Sequence, residues 1–349
     1  MRAKTWTKWV VVAGATVILA SGCSAFKAND ESQPIDPPRD GAGPPAATDN
    51  ALPVSGTSQT QQMQVTIYAK DKNGFVAPLT IQIDKTESVA RKTLEYMVEG
   101  GPSQNVLPRD FTALLPKGTT VLGLDINKDK KIAVVDFSEQ FTNYNVQDER
   151  KILEAVTWAL TGFPSVEQVQ IRVEGKALNE MPQGGTPIDG TLSRAMGINI
   201  EKAPGAEFGQ TTAVTLYFLG QNSDNLQYYV PVTRMIPRTE DKAKATLEQL
   251  IAGPANTKLY PVLASSVETP EVETADGVIT VNFSESILGP DRKAPGETIE
   301  AVVLSLTENV AADAKVQIEV NGEAKVVTTD NETYNKPVSR PLHLNEVKT

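Results

Sequence analysis

The sequence predicts an α+β fold in which one two-layer domain, a sheet covered by helices, occurs twice in tandem. The first observation is a repeated segment, because VDFSE at residues 135–139 returns as VNFSE at residues 281–285. The second is that strand and helix patterns follow in the same order, ββαββαβ, around both segments. The third is that each predicted helix has one apolar face, which requires a sheet to cover it. A repeat of 146 residues indicates a duplicated domain, since solenoid units have only about 20–50 residues.

In the first copy, residues 63–200, the pattern predicts strands at 64–68 and 79–83, a helix opening at Thr86, strands at 121–126 and 132–137, a helix at 148–160 and a strand at 169–173. The strands alternate apolar and polar residues, and Asn73-Gly74 favours a hairpin turn between the first two. Thr86 and Glu87 are suited to cap the first helix and to complement its dipole.

In the second copy, residues 211–345, the same elements recur: strands at 214–218 and 228–236, a helix opening at 239–241, strands at 267–272 and 278–283, a helix striped by apolar residues 299–306 and a strand at 316–320. Asp276-Gly277 is a strong hairpin signal between two of these strands. Residues 201–210 are predicted to be a short connector, and each copy is predicted to fold independently.

The composition excludes several classes of function. The chain has 349 residues, a length suited to about two domains, and a net charge of −10. This acidic balance argues against nucleic acid as a partner, because phosphate binding requires clustered Lys and Arg. With one Cys and one His (His343), the usual base of nucleophilic catalysis and a His- or Cys-rich zinc site are both missing. We expect no cofactor and no enzymatic activity, and His343 is predicted to be ordinary surface.

The N-terminal sequence predicts a secretion signal and a membrane anchor. Three basic residues precede an apolar run at 9–20, which is shorter than the roughly 20 residues that span a bilayer. Small residues follow, and then the single cysteine, Cys23, in the layout of a bacterial lipobox, although Leu19 is one position further from Cys23 than in the commonest form. The alternative is an ordinary signal peptide with an incidental cysteine.

We therefore expect a signal peptide at residues 1–22 and a lipidated, disordered tether at residues 23–62. The tether is rich in Pro and polar residues and has too little apolar surface to fold. A diacylated Cys23 would hold the protein stably on the outer face of the cell membrane, since two acyl chains suffice for anchoring.

Two acidic residues repeat beside the duplicated segment, Glu139 and Glu285. As a catalytic pair for glycosidic cleavage they would have to share a cleft at about 5–9.5 Å, but they belong to different copies. The favoured alternative is a solvated turn in which Ser138 and Ser284 hydrogen-bond local backbone. Residues 125–136 lack the Gly and Glu of a calcium loop and predict a polar turn.

Four charged residues form the candidate partner surface. Arg194 and Arg340 recur 146 residues apart, and either could contact a carboxylate of a partner, since Arg suits bidentate pairing. The favoured alternative is a salt bridge that ties each tail to its own sheet. Glu154 and Glu300 are expected on exposed faces of the second helices, where charge reversal should disturb partner recruitment.

The order of elements, with strands ending in Asp/Asn-Phe-Ser and Glu/Asn-Gly, resembles the GerMN domain family. Two such domains behind a lipobox are similar to the sporulation and spore-germination lipoproteins of endospore-forming bacteria. The resemblance implies a fold like that of ring-building secretion domains, a role in assembling the channel between mother cell and forespore, channel proteins as partners and a possible ring-like homo- or hetero-oligomer.

Two other functions stay open. A lipoprotein that captures a solute or a cell-wall fragment would have a large cleft between the domains with convergent polar groups. A cell-wall hydrolase would have a cleft with paired carboxylates.

Overall fold

The computed structural model describes residues 61–207 and 209–348, and the first repeat within them has the predicted order of elements with three short strands added. Its elements are β1 (Gln62–Asp71), β2 (Val76–Asp84), α1 (Val89–Glu95), β3 (Phe111–Ala113), β4 (Val121–Asn127), β5 (Ile132–Phe137), α2 (Glu149–Leu160), β6 (Gln168–Val173), β7 (Lys176–Ala177) and β8 (Glu201–Lys202).

The second repeat follows the same order. Its elements are β9 (Thr211–Gln221), β10 (Gln227–Pro237), α3 (Lys242–Ala252), β11 (Glu271–Ala275), β12 (Val278–Phe283), α4 (Gly296–Asn309), β13 (Lys315–Val320), β14 (Val326–Val327) and β15 (Thr333–Tyr334). The predicted hairpin turn between β11 and β12 is confirmed, because Asp276 and Gly277 both have positive φ angles, 50° and 76°.

In each repeat the longer strands form two sheets. The first two strands make a long antiparallel hairpin, β1–β2 or β9–β10. The later strands make a second sheet, β4-β5-β6-β7 or β11-β12-β13. β5 and β6 are parallel neighbours in their sheet, and α2 connects them. In the second repeat, α4 connects the parallel neighbours β12 and β13. The second helix of each repeat therefore packs between a hairpin and a sheet, which confirms the predicted α+β class.

One helix begins later than predicted. The Thr86 hydroxyl accepts a hydrogen bond from the Ser88 N–H at 3.2 Å, and α1 starts only at Val89. Thr86 therefore closes a local turn instead of capping the helix, a competition that Thr side chains often enter. In the second repeat Asp241 does cap α3, because its carboxylate accepts from the Lys244 N–H at 2.9 Å.

The duplicated segment encodes one local structure. The Asp136 carboxylate accepts a hydrogen bond at 2.9 Å from the N–H of Gly175, which follows the parallel neighbour strand. Asn282 accepts from Gly322 in the same way at 2.8 Å. Both glycines have positive φ angles, 76° and 78°, which favour a residue without a Cβ atom. Phe137 follows Asp136, and Phe283 follows Asn282. Both phenylalanines are buried in the core as expected.

Two asparagines exchange hydrogen bonds between the repeats. The Asn199 side chain accepts from a backbone N–H of β2 and donates to the Pro231 carbonyl of β10 at 2.7 Å. The Asn345 side chain accepts from a backbone N–H of β10 and donates to the Pro78 carbonyl of β2, also at 2.7 Å. Each asparagine thus joins the second strand of its own repeat to the second strand of the other.

The segment that ends each repeat also crosses to the other. β8 pairs in parallel with β10, and Glu346 forms a parallel bridge with Thr80 of β2. The Thr80 hydroxyl accepts from the Leu344 N–H, and the Thr233 hydroxyl of β10 accepts from the Ile198 N–H, both at 3.0 Å. The contacts are reciprocal, so each second strand is covered by the tail of the other repeat.

The described residues of both repeats consequently belong to one compact unit. The segment 201–210, predicted as a connector, contains β8 and takes part in this exchange. The domain limits 63–200 and 211–345, and independent folding of each copy, stay predictions.

We expect Asn199→Ala and Asn345→Ala each to lower the free energy of unfolding by about 2 kcal/mol, because buried backbone groups of both repeats lose their partners. Urea unfolding followed by circular dichroism measures the change. Asn143→Ala, at an exposed position, serves as the control. Equal midpoints for Asn199→Ala and Asn143→Ala would contradict this role of the exchange.

Candidate functional site

The predicted anchor, Cys23, its signal peptide and nearly all of its tether lie outside the described residues. Among the helices in residues 61–207 and 209–348, none has the length and apolar character needed to cross a membrane.

The prediction that Glu154 lies on an exposed helix face is wrong. Its side chain is only 3% exposed, and its carboxylate pairs with Arg150 at 2.9 Å and accepts from the Asn199 N–H at 3.2 Å. Burial raises the pKa of Glu154. The reason is that α2 has β1 on one side and β6 on the other, so almost no face of the helix stays open.

Glu300 in α4 is half-buried rather than exposed, so this prediction is also wrong. Its carboxylate accepts a hydrogen bond from the Tyr229 hydroxyl at 2.9 Å. Burial raises the pKa of Glu300, and the neighbouring carboxylates of Glu332 and Asp330 raise it further. Neither glutamate offers a freely solvated carboxylate to a partner.

Arg194 and Arg340 converge on one carboxylate that the sequence analysis did not single out, Glu308 of α4. Arg194 reaches its two oxygens at 2.9 and 2.8 Å, and Arg340 reaches one of them at 2.9 Å. The salt bridge of Arg340 stays within its own repeat as expected, but it ties the tail to helix α4 and not to a sheet. The one expected for Arg194 is wrong, because this arginine belongs to the first repeat and its partner to the second.

The electrostatics of this cluster favour an ionised Glu308. Its side chain is 9% exposed, and burial alone would raise its pKa. Arg194 and Arg340 outweigh burial and hold the pKa of Glu308 below its usual range. The Tyr217 hydroxyl adds a hydrogen bond to the same carboxylate at 3.1 Å.

Aromatic rings flank both arginines. The Arg194 guanidinium lies 4.4 Å from the centroid of Trp158, and the Arg340 guanidinium lies 5.2 Å from that of Tyr217. Tyr68 meets Trp158 edge to face, with ring centroids 6.4 Å apart. Such cation–π contacts stabilise a guanidinium that has lost part of its hydration.

A cleft of about 490 Å³ opens beside the two arginines, between the repeats. Its lining includes Tyr68, Trp158, Arg194, Tyr217, Arg340 and His343. His343, predicted as ordinary surface, lies half-buried in this wall, and its Nδ1 is buried without a hydrogen-bond partner among the described residues. The cleft thus combines apolar walls with converging polar groups, as ligand sites do.

The repeated acids do not form a pair. Glu139 and Glu285 are exposed in separate repeats, and Glu285 pairs with Arg292 at 2.9 Å. The predicted hydrogen bonds of the two serines to local backbone are wrong, because Ser138 accepts from the N–H of Thr120, just before the neighbouring strand β4, and Ser284 bonds the Ser286 hydroxyl. Within the described ranges, no group of three or more His, Cys, Asp or Glu residues could hold a metal ion.

We expect Glu308→Gln to lower the free energy of unfolding by about 3 kcal/mol at neutral pH, because two partly buried arginines lose their counter-charge. Since the folded-state pKa of Glu308 is lowered, its contribution is present above the unfolded pKa and is lost as pH falls through the folded pKa. The difference between the two proteins should therefore vanish in acid. Urea unfolding across pH measures it, with exposed Glu139→Gln as control, and a pH-independent difference would contradict it.

Comparison with known proteins agrees with this architecture. The family profile described as "Germane: Sporulation and spore germination" matches residues 66–179 and 215–326. The chain is 38% identical over 97% of its length to the spore germination protein GerM of Bacillus subtilis (strain 168), and the match covers 98% of that protein.

Two solved structures are also similar. The tandem GerMN domains of the sporulation protein GerM from Bacillus subtilis are 40% identical, with a TM-score of 0.76, over 81% of this chain and 99% of that one. The first GerMN domain of the same protein is 48% identical over 38% of this chain and 98% of that one, with a TM-score of 0.37. The chain therefore belongs to the Germane family of sporulation and spore germination proteins.

Proposed function

We propose that this protein is a lipid-anchored, extracytoplasmic assembly protein of sporulation and spore germination that acts without enzymatic activity. In this proposal the acylated Cys23 holds it on the outer face of the cell membrane, and its two GerMN domains join the channel between mother cell and forespore. Membership of the Germane family supports a role in sporulation and spore germination, and the lipobox-like segment before Cys23 supports the lipid anchor.

The observation that carries the assembly role is a pair of open sheet edges, one in each repeat. β4 and β11 are the outermost strands of their sheets, and no described strand pairs with their outer sides. An open edge presents unpaired backbone groups that readily accept a strand from a partner. Two edges on one rigid unit allow contacts with two neighbours, as a ring-like homo- or hetero-oligomer requires.

The two edges differ in chemistry. Leu122 of β4 is 48% exposed at a register shift between Val121 and Gly123, and Asp125 is the one exposed acid of this strand. β11 instead carries Glu271 and Glu273, both exposed. β4 is therefore the better candidate for direct strand addition.

The cleft beside Arg194 and Arg340 is the observation that favours the alternative of an extracytoplasmic ligand-binding lipoprotein. The exposed and separate positions of Glu139 and Glu285 give a cell-wall hydrolase no comparable support.

We expect Leu122→Lys to reduce function about tenfold in a Bacillus subtilis strain that lacks its own GerM and carries this chain, because a charge on the edge opposes strand pairing. Heat-resistant spore counts and the yield of co-purified membrane proteins in mild detergent measure the effect. Leu226→Lys is the matched control, since Leu226 is 44% exposed but lies beside the β9–β10 turn. Equal spore counts for the two variants, both folded, would refute a role for the β4 edge.

We expect Cys23→Ala to remove acylation, since Cys23 is the single cysteine of the chain. The protein should then appear in the medium or stay held by an uncleaved signal peptide. Labelling cells with a radioactive fatty acid, followed by membrane fractionation, measures both. Lipid labelling that persists in Cys23→Ala would rule out this anchor.

A further inference from the structure

One hydrogen bond of each arginine is equivalent in the two repeats, whereas the bonds of Arg340 to the Leu304 carbonyl and the Tyr217 hydroxyl have no counterpart at Arg194. Arg194 donates to the Thr161 hydroxyl at 3.0 Å, and Arg340 donates to the Thr307 hydroxyl at 3.1 Å. Arg194 and Arg340 are 146 residues apart, and so are Thr161 and Thr307, as the duplication requires. The next residue after Thr307 is the shared carboxylate, Glu308.

The counterpart of Glu308 in the first repeat is Gly162. α4 continues through Glu308 to Asn309, whereas α2 ends at Leu160, and Gly162 follows as part of the cleft lining. The duplication would place a second carboxylate beside the arginines at this position, and the glycine leaves the position open.

The charge of the cluster is consequently unbalanced. Two guanidinium groups share one carboxylate, and their side chains remain 29% and 21% exposed at the cleft. Nη2 of Arg194 and Nε of Arg340 make no hydrogen bond to any described residue. Asp313 also lines the cleft but forms no salt bridge with either arginine. A partly buried cation without a full counter-charge favours an anion that can accept its remaining donors.

Two residues that line the cleft also carry a polar atom without a hydrogen-bond partner. Nε1 of Trp158 and Nδ1 of His343 are both buried without a hydrogen-bond partner within the described part of the chain. Buried polar atoms of folded proteins are nearly always paired, but neither of these atoms is exposed to the cleft, so neither is a contact for a ligand there. Val89 and Phe163, both half-buried in the lining, supply apolar surface at the cleft.

We infer that the cleft binds the carboxylate of a small ligand or of a short peptide's terminus at the position that Gly162 leaves open. Arg194 and Arg340 pair with the carboxylate, and Val89 and Phe163 contact the ligand's apolar body. The cleft volume of about 490 Å³ lies within the usual range for small-molecule sites, about 300–1,000 Å³. This binding is separate from the assembly role, so the failure of either leaves the other standing.

Tryptophan fluorescence tests the inference, because Trp158 is the only tryptophan besides Trp6 and Trp9. In the full chain with Trp6→Phe and Trp9→Phe, we expect N-acetyl-leucine to give a saturable change in Trp158 emission. N-acetyl-leucinamide, which lacks the charge, should bind at least about tenfold more weakly. Comparing the affinity of a short peptide that has a free C-terminus with that of N-acetyl-leucine then distinguishes a peptide's terminus from a small ligand.

A matched pair of variants tests whether the carboxylate of the ligand lies beside Gly162. Gly162→Glu in the same full chain supplies a tethered carboxylate, and Gly162→Gln supplies the same shape without charge. A Cβ at this position would lie 3.2 Å from the Ala159 carbonyl oxygen, so both variants need the same small local shift.

We expect Gly162→Glu to weaken the binding of N-acetyl-leucine about tenfold or more, because its carboxylate pairs with the arginines, and Gly162→Gln to weaken it by less, because an uncharged amide is not held there and can move aside. The inference is overturned if the parent chain shows no saturable, carboxylate-dependent change, if Gly162→Glu binds as the parent does, or if both variants lose binding equally.

Discussion

The way the two repeats are joined depends on where the backbone N–H and C=O groups of the second strand of each repeat find hydrogen-bond partners. β2 and β10 are buried on nearly every residue, and each pairs along its full length with its own first strand. The other side of each strand needs partners of its own, since buried backbone groups are rarely left unpaired. The tails of the opposite repeat provide them, with Asn199 bonding the Pro231 carbonyl and Asn345 bonding the Pro78 carbonyl. Proline is tolerated at these two positions because it only has to accept there.

This exchange fixes the two repeats against each other and so creates the cleft. Arg194 lies a few residues before Asn199, and Arg340 lies a few residues before Asn345. The crossing tails therefore carry both arginines to the boundary between the repeats, where Glu308 joins them. A buried cluster of this kind contributes specificity of arrangement more reliably than net stability, because desolvation of the charges offsets much of their attraction. The cleft is thus a product of the duplication, and neither repeat contains all of it.

The parts of the fold that depend on local sequence could be predicted, and the parts that depend on distant contacts could not. The hairpin at Asp276-Gly277 follows from backbone preferences of adjacent residues, and the periodic apolar residues of α4 indicate a helix directly. The burial of Glu154 does not follow from periodicity, because it requires a sheet on each side of α2. The contact between Arg194 and Glu308 joins residues 114 positions apart in different repeats. The one available signal was Thr161, which recurs as Thr307 but is followed by Gly162 in one repeat and by Glu308 in the other.

Duplication followed by divergence gives the two repeats different surfaces, and this difference bears on assembly. β4 exposes Leu122 and one acid, Asp125, whereas β11 exposes the two acids Glu271 and Glu273. Charged side chains on an edge oppose the pairing of another strand. Contacts made through unlike edges are heterologous, and heterologous contacts build closed rings or open filaments instead of two-fold dimers. The divergence between the repeats that left Gly162 at the cleft therefore also gives the proposed assembly two unlike edges, and the exchange of tails joins the repeats that carry them in one compact unit.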